Sequence, residues 1–300
     1  MQLINEKLTH LLFLLIVSLI ASSTFAGIKI ASAFFNAYEI TFWRSFIAFL
    51  FCLPFLLVRK SWVGLDLNCW LFIFLISFVG VLLPFTLLNW AGKRIESSLV
   101  GILWSTLPIF GIVLAHFLTK NDRLGVNKIF SVVLGIISVY LISTQDLAGE
   151  GASTDVLPHL AVVSAAFCYA VSGILQKRLP QKVSGLFLTG ATMGIGALAS
   201  YCVWSTQISF SFQANSGTIA IVYLGIVTSA ILAYLRFSLI RVAGYSLVSY
   251  TGYLVPVCSV FIGVAFLKEN LPSNAYLALA LSIVAIVFSQ IRFSSKNWAQ

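Results

Sequence analysis

Ser97-Ser98-Leu99-Val100-Gly101-Ile102-Leu103-Trp104-Ser105-Thr106-Leu107-Pro108 and Tyr245-Ser246-Leu247-Val248-Ser249-Tyr250-Thr251-Gly252-Tyr253-Leu254-Val255-Pro256 read as one pattern written twice. Each begins with small or polar residues, continues as an apolar run and closes on a proline. At an offset of about 148 residues, Ser98-Leu99-Val100 falls on Ser246-Leu247-Val248 and Pro108 on Pro256. The same shift carries Lys29 onto Lys177, Lys93 onto Arg241 and Lys120 onto Lys268. Charges and prolines match as well as Leu and Val, which a chance likeness between two greasy segments does not explain. The chain therefore reads as two related halves.

Outward from these segments the sequence is apolar almost throughout. Of 300 residues, 60% are hydrophobic and 9% charged, with a mean hydropathy of +1.01. A water-soluble domain needs a charged surface, so this composition belongs in lipid. A spanning helix needs about 20 apolar residues. Ten such stretches are predicted, at 9–30, 37–58, 69–91, 97–118, 127–144, 157–178, 184–205, 217–239, 245–267 and 273–291. Backbone groups in a bilayer must pair internally, so these runs are expected to be helices, and they are too uniformly apolar for barrel strands. The predicted fold is an all-α integral membrane protein of ten transmembrane helices.

The longest polar insert, Ser143 to Asp155, carries two glycines and three acids and divides the chain near its middle. Residues 1–146 are then a first five-helix repeat, 147–156 an outer linker, 157–292 a second repeat and 293–300 a tail. Five helices is an odd number, so the second repeat enters the membrane from the opposite face, giving an inverted duplication. With both termini inside, cytoplasmic segments hold thirteen Lys and Arg and outer segments hold four. That bias predicts a multi-pass protein of a bacterial inner membrane with both termini cytoplasmic. It also accounts for the net charge of +9 without nucleic acid, because the charges are scattered over short loops. The first apolar run, Leu11 to Ile30, lacks a clean signal-peptide pattern and is expected to be a retained helix.

These features resemble the drug/metabolite transporter superfamily, specifically its EamA family of bacterial ten-helix permeases, over nearly the whole chain. Ala21-Ser22-Ser23-Thr24-Phe25-Ala26-Gly27-Ile28-Lys29 resembles that family's small and polar stretch ending in lysine. Phe42-Trp43-Arg44-Ser45-Phe46-Ile47-Ala48 resembles its arginine-aromatic-alanine signature, and the two opening segments resemble its paired fourth and ninth helices. Leu267-Lys268-Glu269 resembles the glutamate turn after helix 9. The first-half counterpart, Thr119-Lys120-Asn121-Asp122, departs from the pattern with Asn where Glu is usual. The resemblance implies a ten-helix fold, solute efflux or exchange, and a cavity enclosed by helices 1, 3, 4, 6, 8 and 9.

Candidate site residues follow from chemistry and predicted depth. Arg44 lies several residues inside helix 2, where a charge costs about 3 kcal/mol on insertion scales. It reads as a counter-charge for solute or gate, or as a structural arginine. Lys29, near an outer end, reads as a gating or steering cation or a headgroup contact. Ser22 shares a helical face with Ser18 and Phe25, suited to cavity lining or to close helix packing. Trp90, Trp104, Ser105, Tyr169, Tyr234, Tyr250 and Tyr253 can enclose a solute while supplying hydrogen-bond groups, the alternative being aromatic belts at the membrane surfaces. Pro108 and Pro256 each remove one helical N–H and are expected to act as matched bends or hinges. Gly190-Ala191-Thr192-Met193-Gly194 is a close-approach pattern, expected to pack within the chain.

No carboxylate falls mid-helix, so an acid-based proton relay is not expected. No nucleotide-binding glycine loop, hydrolase motif, metal-ligand spacing or cofactor pattern occurs, and the five cysteines have no paired spacing. The sequence thus predicts a non-enzymatic permease without cofactor or metal, a monomer or loose dimer whose partners are the bilayer and a small polar solute such as an amino acid. Alternating access as exporter, facilitator or exchanger is the expected mode. A non-transporting membrane scaffold and an intramembrane enzyme are the alternatives, and the latter lacks the clustered acids and histidines it would need.

Overall fold

The computed structural model describes residues 2–59, 65–118, 126–143, 155–180, 183–209, 213–236 and 251–290. Among them, helices are the only regular structure, arranged as ten rods. They are α1 (Gln2–Ala31), α2 (Ala37–Arg59), α3 (Leu67–Gly92), α4 in two pieces (Ser97–Trp104 and Thr106–Leu118), α5 (Val126–Ser143), α6 (Leu157–Lys177), α7 (Gly185–Trp204), α8 (Ser216–Arg236), α9 (Thr251–Leu267) and α10 (Ser273–Gln290). Six of these (α1, α2, α3, α6, α7 and α8) are long and apolar enough to cross a bilayer, while α4, α5, α9 and α10 contribute shorter apolar stretches. The start of the predicted ninth helix, residues 245–250, lies outside the described residues, as do Lys120 and Asn121.

Contacts between the halves run in matched pairs. Helix α2 packs on α7, α4 on α9 and α5 on α10, while α1 meets α8 and α9 as α6 meets α3 and α4. The α2–α7 seam shows why its sequence permits this. A Cβ on Gly190 would sit 2.7 Å from Leu56, and one on Gly194 2.8 Å from Phe49, so only glycine lets the two rods approach this closely. The close-approach pattern thus serves packing within the chain.

Two rods carry wide π-type turns, Phe78–Leu82 in α3 and Leu224–Ile231 in α8. Gly80 and Thr228, about 148 residues apart, sit within them at matching places. A π turn inserts one extra residue per turn and re-phases everything downstream. In α4 the break has a different cause. Pro108 has no N–H for the Trp104 carbonyl and its ring crowds that oxygen, so the rod parts at Ser105. The hydroxyls of Ser105 and Thr106 donate back to the carbonyls of Ile102 (2.6 Å) and Leu103 (2.8 Å) and cover part of the loss. Pro256, by contrast, lies inside an uninterrupted α9. The two prolines, expected to act alike, thus differ in whether the rod is interrupted before them.

Candidate functional site

A cavity of about 190 Å³ lies between the halves, walled by α1, α2, α3 and α4 from one and α6, α7, α8 and α9 from the other. Its apolar wall includes Phe25, Val81, Phe85, Leu88, Trp104 and Met193. Its polar groups include Thr24, Arg44, Tyr169, Ser172, Gln176 and Thr189, together with Thr192, Thr228, Ser229 and Arg236. Among the described residues, no Asp or Glu lines the cavity. Toward one end the lining reaches Gln176 at the end of α6 and Gly185 at the start of α7, together with Arg236 and Thr251.

Arg44 is the polar centre of the site and is only 2% exposed. Its Nε donates to Ser229 Oγ at 3.1 Å, and its Nη2 donates to Ser229 Oγ at 3.0 Å and Thr228 Oγ1 at 3.4 Å. The guanidinium lies over the Phe85 ring, 3.7 Å from its centroid, which fixes its plane. Nη1 is buried and has no hydrogen-bond partner among the described residues. Glu39, five residues earlier on α2, does not answer this charge. Its carboxylate accepts from the N–H of Asn36 (2.8 Å) and from the N–H (3.1 Å) and hydroxyl of Ser209. It therefore caps α2 and ties it to the segment after α7. Beside the arginine, Trp104 and Tyr169 meet edge to face with centroids 5.0 Å apart, and Trp104 meets Phe25 at 6.0 Å.

Outside the lining residues, carboxylates tie helices of the two halves together. Lys268, at φ 56°, turns the chain sharply after α9, and the Glu269 N–H returns to the Gly263 carbonyl at 3.1 Å. That turn throws the Glu269 carboxylate across to α4. There it accepts from Ser97 N–H (2.8 Å), Ser97 hydroxyl (2.7 Å), Ser98 N–H (3.0 Å) and Ser98 hydroxyl. A negative charge on the exposed N–H groups of a helix start is favourable on dipole grounds as well. Burial works to raise the Glu269 pKa, but these bonds from Ser98 and Ser97 outweigh it and hold the carboxyl below its ordinary value. Just before Ser97, Lys29 pairs with Glu96 at 3.3 Å and donates to the Ile95 carbonyl at 3.1 Å.

The structure thus gathers Arg44, Trp104 and Tyr169 of the sequence candidates into one chamber and leaves others outside it. Lys29 clips α1 to the turn before α4. Ser22 is fully packed between helices, donating to the carbonyls of Ser18 (2.7 Å) and Val255 (3.0 Å). Trp90 sits under the Arg94 guanidinium, 3.9 Å from its carbon, away from the lining. Ser105 spends its hydroxyl at the α4 break. Tyr234 is 47% exposed on the outer surface, because its neighbours Leu232, Ala233 and Arg236 take the inward face of α8. Tyr250 lies outside the described residues, as does the side chain of Tyr253. Sequence reasoning missed Phe85, Thr189, Thr192 and Thr228. Phe85 and Thr228 face inward through the π turns, which have no residue signature.

Two stretches of the chain, residues 8–144 and 156–290, match the EamA-like transporter family. The chain belongs to the EamA-like transporter family. Among EamA-like relatives, YdfC of Bacillus subtilis (strain 168), described as an uncharacterized transporter, is 22% identical over 92% of this chain and 89% of its own. An uncharacterized transporter of Buchnera aphidicola subsp. Schizaphis graminum (strain Sg) is 27% identical, over 48% of this chain and about half (48%) of its own length. YoaV of Bacillus subtilis (strain 168), another uncharacterized transporter, is 21% identical over 70% of this chain and 72% of its own. A protein crystal structure superposes with a TM-score of 0.67 at 17% identity, covering 94% of this chain and 96% of the other, and shares the fold. The EamA-like assignment makes this a multi-pass membrane protein of a transporter family.

Proposed function

We propose that the protein moves a small polar metabolite, an amino acid or related solute, across a bacterial inner membrane by alternating access, as exporter, facilitator or exchanger. The observation that carries this reading is the chamber between the halves, walled from both and containing a buried guanidinium, aromatic rings and hydroxyls. A cavity of about 190 Å³ is smaller than the roughly 300–1,000 Å³ of drug-sized sites, which favours a compact solute. The matched helix pairs support two halves of inverted orientation, residues 1–146 and 157–292, joined by a linker at 147–156. On that topology both termini are cytoplasmic, the Glu269 and Lys29 ties close the outer end, and the cavity reaches toward the inside. The protein acts as a permease, not an enzyme.

Purified protein in liposomes tests this. It equilibrates at least one solute from a panel of neutral, cationic and anionic metabolites, and Trp104→Ala lowers that flux with protein recovery unchanged. Absence of flux for the whole panel would turn the case toward a scaffold. A pH gradient that drives uphill accumulation would overturn the expectation that no proton relay operates.

A further inference from the structure

We infer that Arg44 is the anchor for a solute carboxylate, and that the cargo is a compact organic monoanion with an apolar or aromatic body. The inference rests on the reading of this chamber as the transport site and deepens it.

Among the described residues, no side-chain carboxylate balances the charge of Arg44. A guanidinium buried in a membrane protein is stable only when its donors are met and its charge is opposed. Here Nε and Nη2 are met by neutral hydroxyls from α8, while Nη1 is met by none of the described residues. No carboxylate lines the chamber among the described residues. Nor does the 237–250 segment contain an Asp or Glu. The missing counter-ion therefore has to arrive from outside.

The rest of the wall selects its kind. Arg236 adds a second cation at the edge, so a positively charged solute is disfavoured twice. A neutral solute would leave the charge of Arg44 unopposed. Ser229 and Thr228 occupy the Nε/Nη2 side of the guanidinium, which leaves Nη1, on the opposite side, as the donor open to a further acceptor. A charge-assisted bond from Nη1 suits a carboxylate oxygen. A phosphate dianion would demand more than this largely apolar wall offers, whereas Phe25, Phe85, Leu88 and Trp104 suit a hydrocarbon body. With Arg44 only 2% exposed, the solute reaches Nη1 by shifting side chains over it as the site loads. The hydroxyls and Phe85 leave the guanidinium little freedom to lose, which preserves affinity.

The test uses two probe series matched in shape: phenylacetate, phenylacetamide and phenethylamine, then isovalerate, isovaleramide and isobutylamine. Binding is read from the melting temperature of the purified full-length protein against probe concentration, with flux measured separately in liposomes. The acids bind at least about tenfold more tightly than their amides, and the amines do not bind. Arg44→Gln lowers acid affinity by about 10- to 100-fold and leaves the amides unchanged, the loss expected for a charge-assisted pair. Arg44→Lys retains part of it. Ser229→Ala keeps the charge but unpins it, and gives an intermediate loss; it decides the matter if Arg44→Gln fails to fold. Acid–amide equality, an Arg44→Gln protein that still prefers acids, or acids that never shift the melting temperature would each overturn the anchor. Flux of neutral or cationic solutes with silent acids would sink the anchor alone. Tight acid binding without flux of any solute would instead sink the transport reading.

Discussion

The two halves share a backbone plan around the cavity and differ in the chemistry hung upon it. Each places a π turn beside the chamber, at Gly80 in α3 and Thr228 in α8. The second half fills its turn with Thr228 and Ser229, whose hydroxyls hold a guanidinium; the first offers Gly80 and Val81, which cannot. Likewise Arg44 in α2 has Thr192 as its counterpart in α7 at the offset of about 148, and both line the cavity. The polar centre is therefore built once, from one member of each pair, and it spans the halves. Duplication supplies positions, and divergence supplies the charge.

That contrast can be broken at its latch first. Glu269→Ala leaves two helix-start N–H groups and two hydroxyls without their charged acceptor, and lowers unfolding stability by about 2–3 kcal/mol. Because the folded carboxyl titrates below its ordinary value, its contribution is present at neutral pH. It fades as pH falls through the folded value, below the ordinary glutamate range. Melting curves of the wild type and Glu269→Gln should therefore converge in acid, and a gap constant with pH would contradict this account.

Copying the second half into the first is the next step. Gly80→Thr reproduces Thr228 in α3, but a Cβ at Gly80 falls on the Ser172 hydroxyl and within 3.0 Å of its Cβ. Overpacking there costs about 1–3 kcal/mol and shrinks the chamber, so melting temperature and flux should fall together. Smaller still is the repair of α4. Pro108→Ala restores a donor for the Trp104 carbonyl and should alter transport rate more than stability, which stays within about 1 kcal/mol. Pro256→Ala, in a rod already continuous, should alter the rate less; equal effects on flux would restore the matched-hinge expectation. Tyr234→Leu, on the outer face of α8, should change stability by less than about 0.5 kcal/mol and leave flux as it was.

What could be read from the chain alone follows the same division. Spans were legible because hydropathy and length alone determine them, and turn residues such as Arg59-Lys60 and Leu271-Pro272 mark their ends. Arg44 was legible by depth, since a charge that far into an apolar run is conspicuous whatever its role. Facing was not. A π turn shifts the inward stripe of α3 so that Gly80, Val81, Phe85 and Leu88 line the chamber, and nothing in Phe78-Val79-Gly80-Val81-Leu82 announces it. Tyr234 and Trp90 were attractive as residue types but stand on the wrong side or at the wrong height. The destination of the Ser22 hydroxyl, the Val255 carbonyl, depends on which helix lies across from it, a tertiary fact with no local trace.

The Glu269 turn has one further consequence. At the place that matches it in the first half the chain carries Asn121, which has no ionic form to offer a helix start. On the proposed alternating-access cycle, a closure held by the Glu269 carboxylate outweighs one without such a charge, and the two end states have unequal weight. Such a protein rests mostly in one posture, and a solute arriving from the shuttered face meets an affinity scaled down by the scarcity of the receptive form. In the proposed carrier, unequal fastening thus gives the two faces different apparent affinities without any fuel.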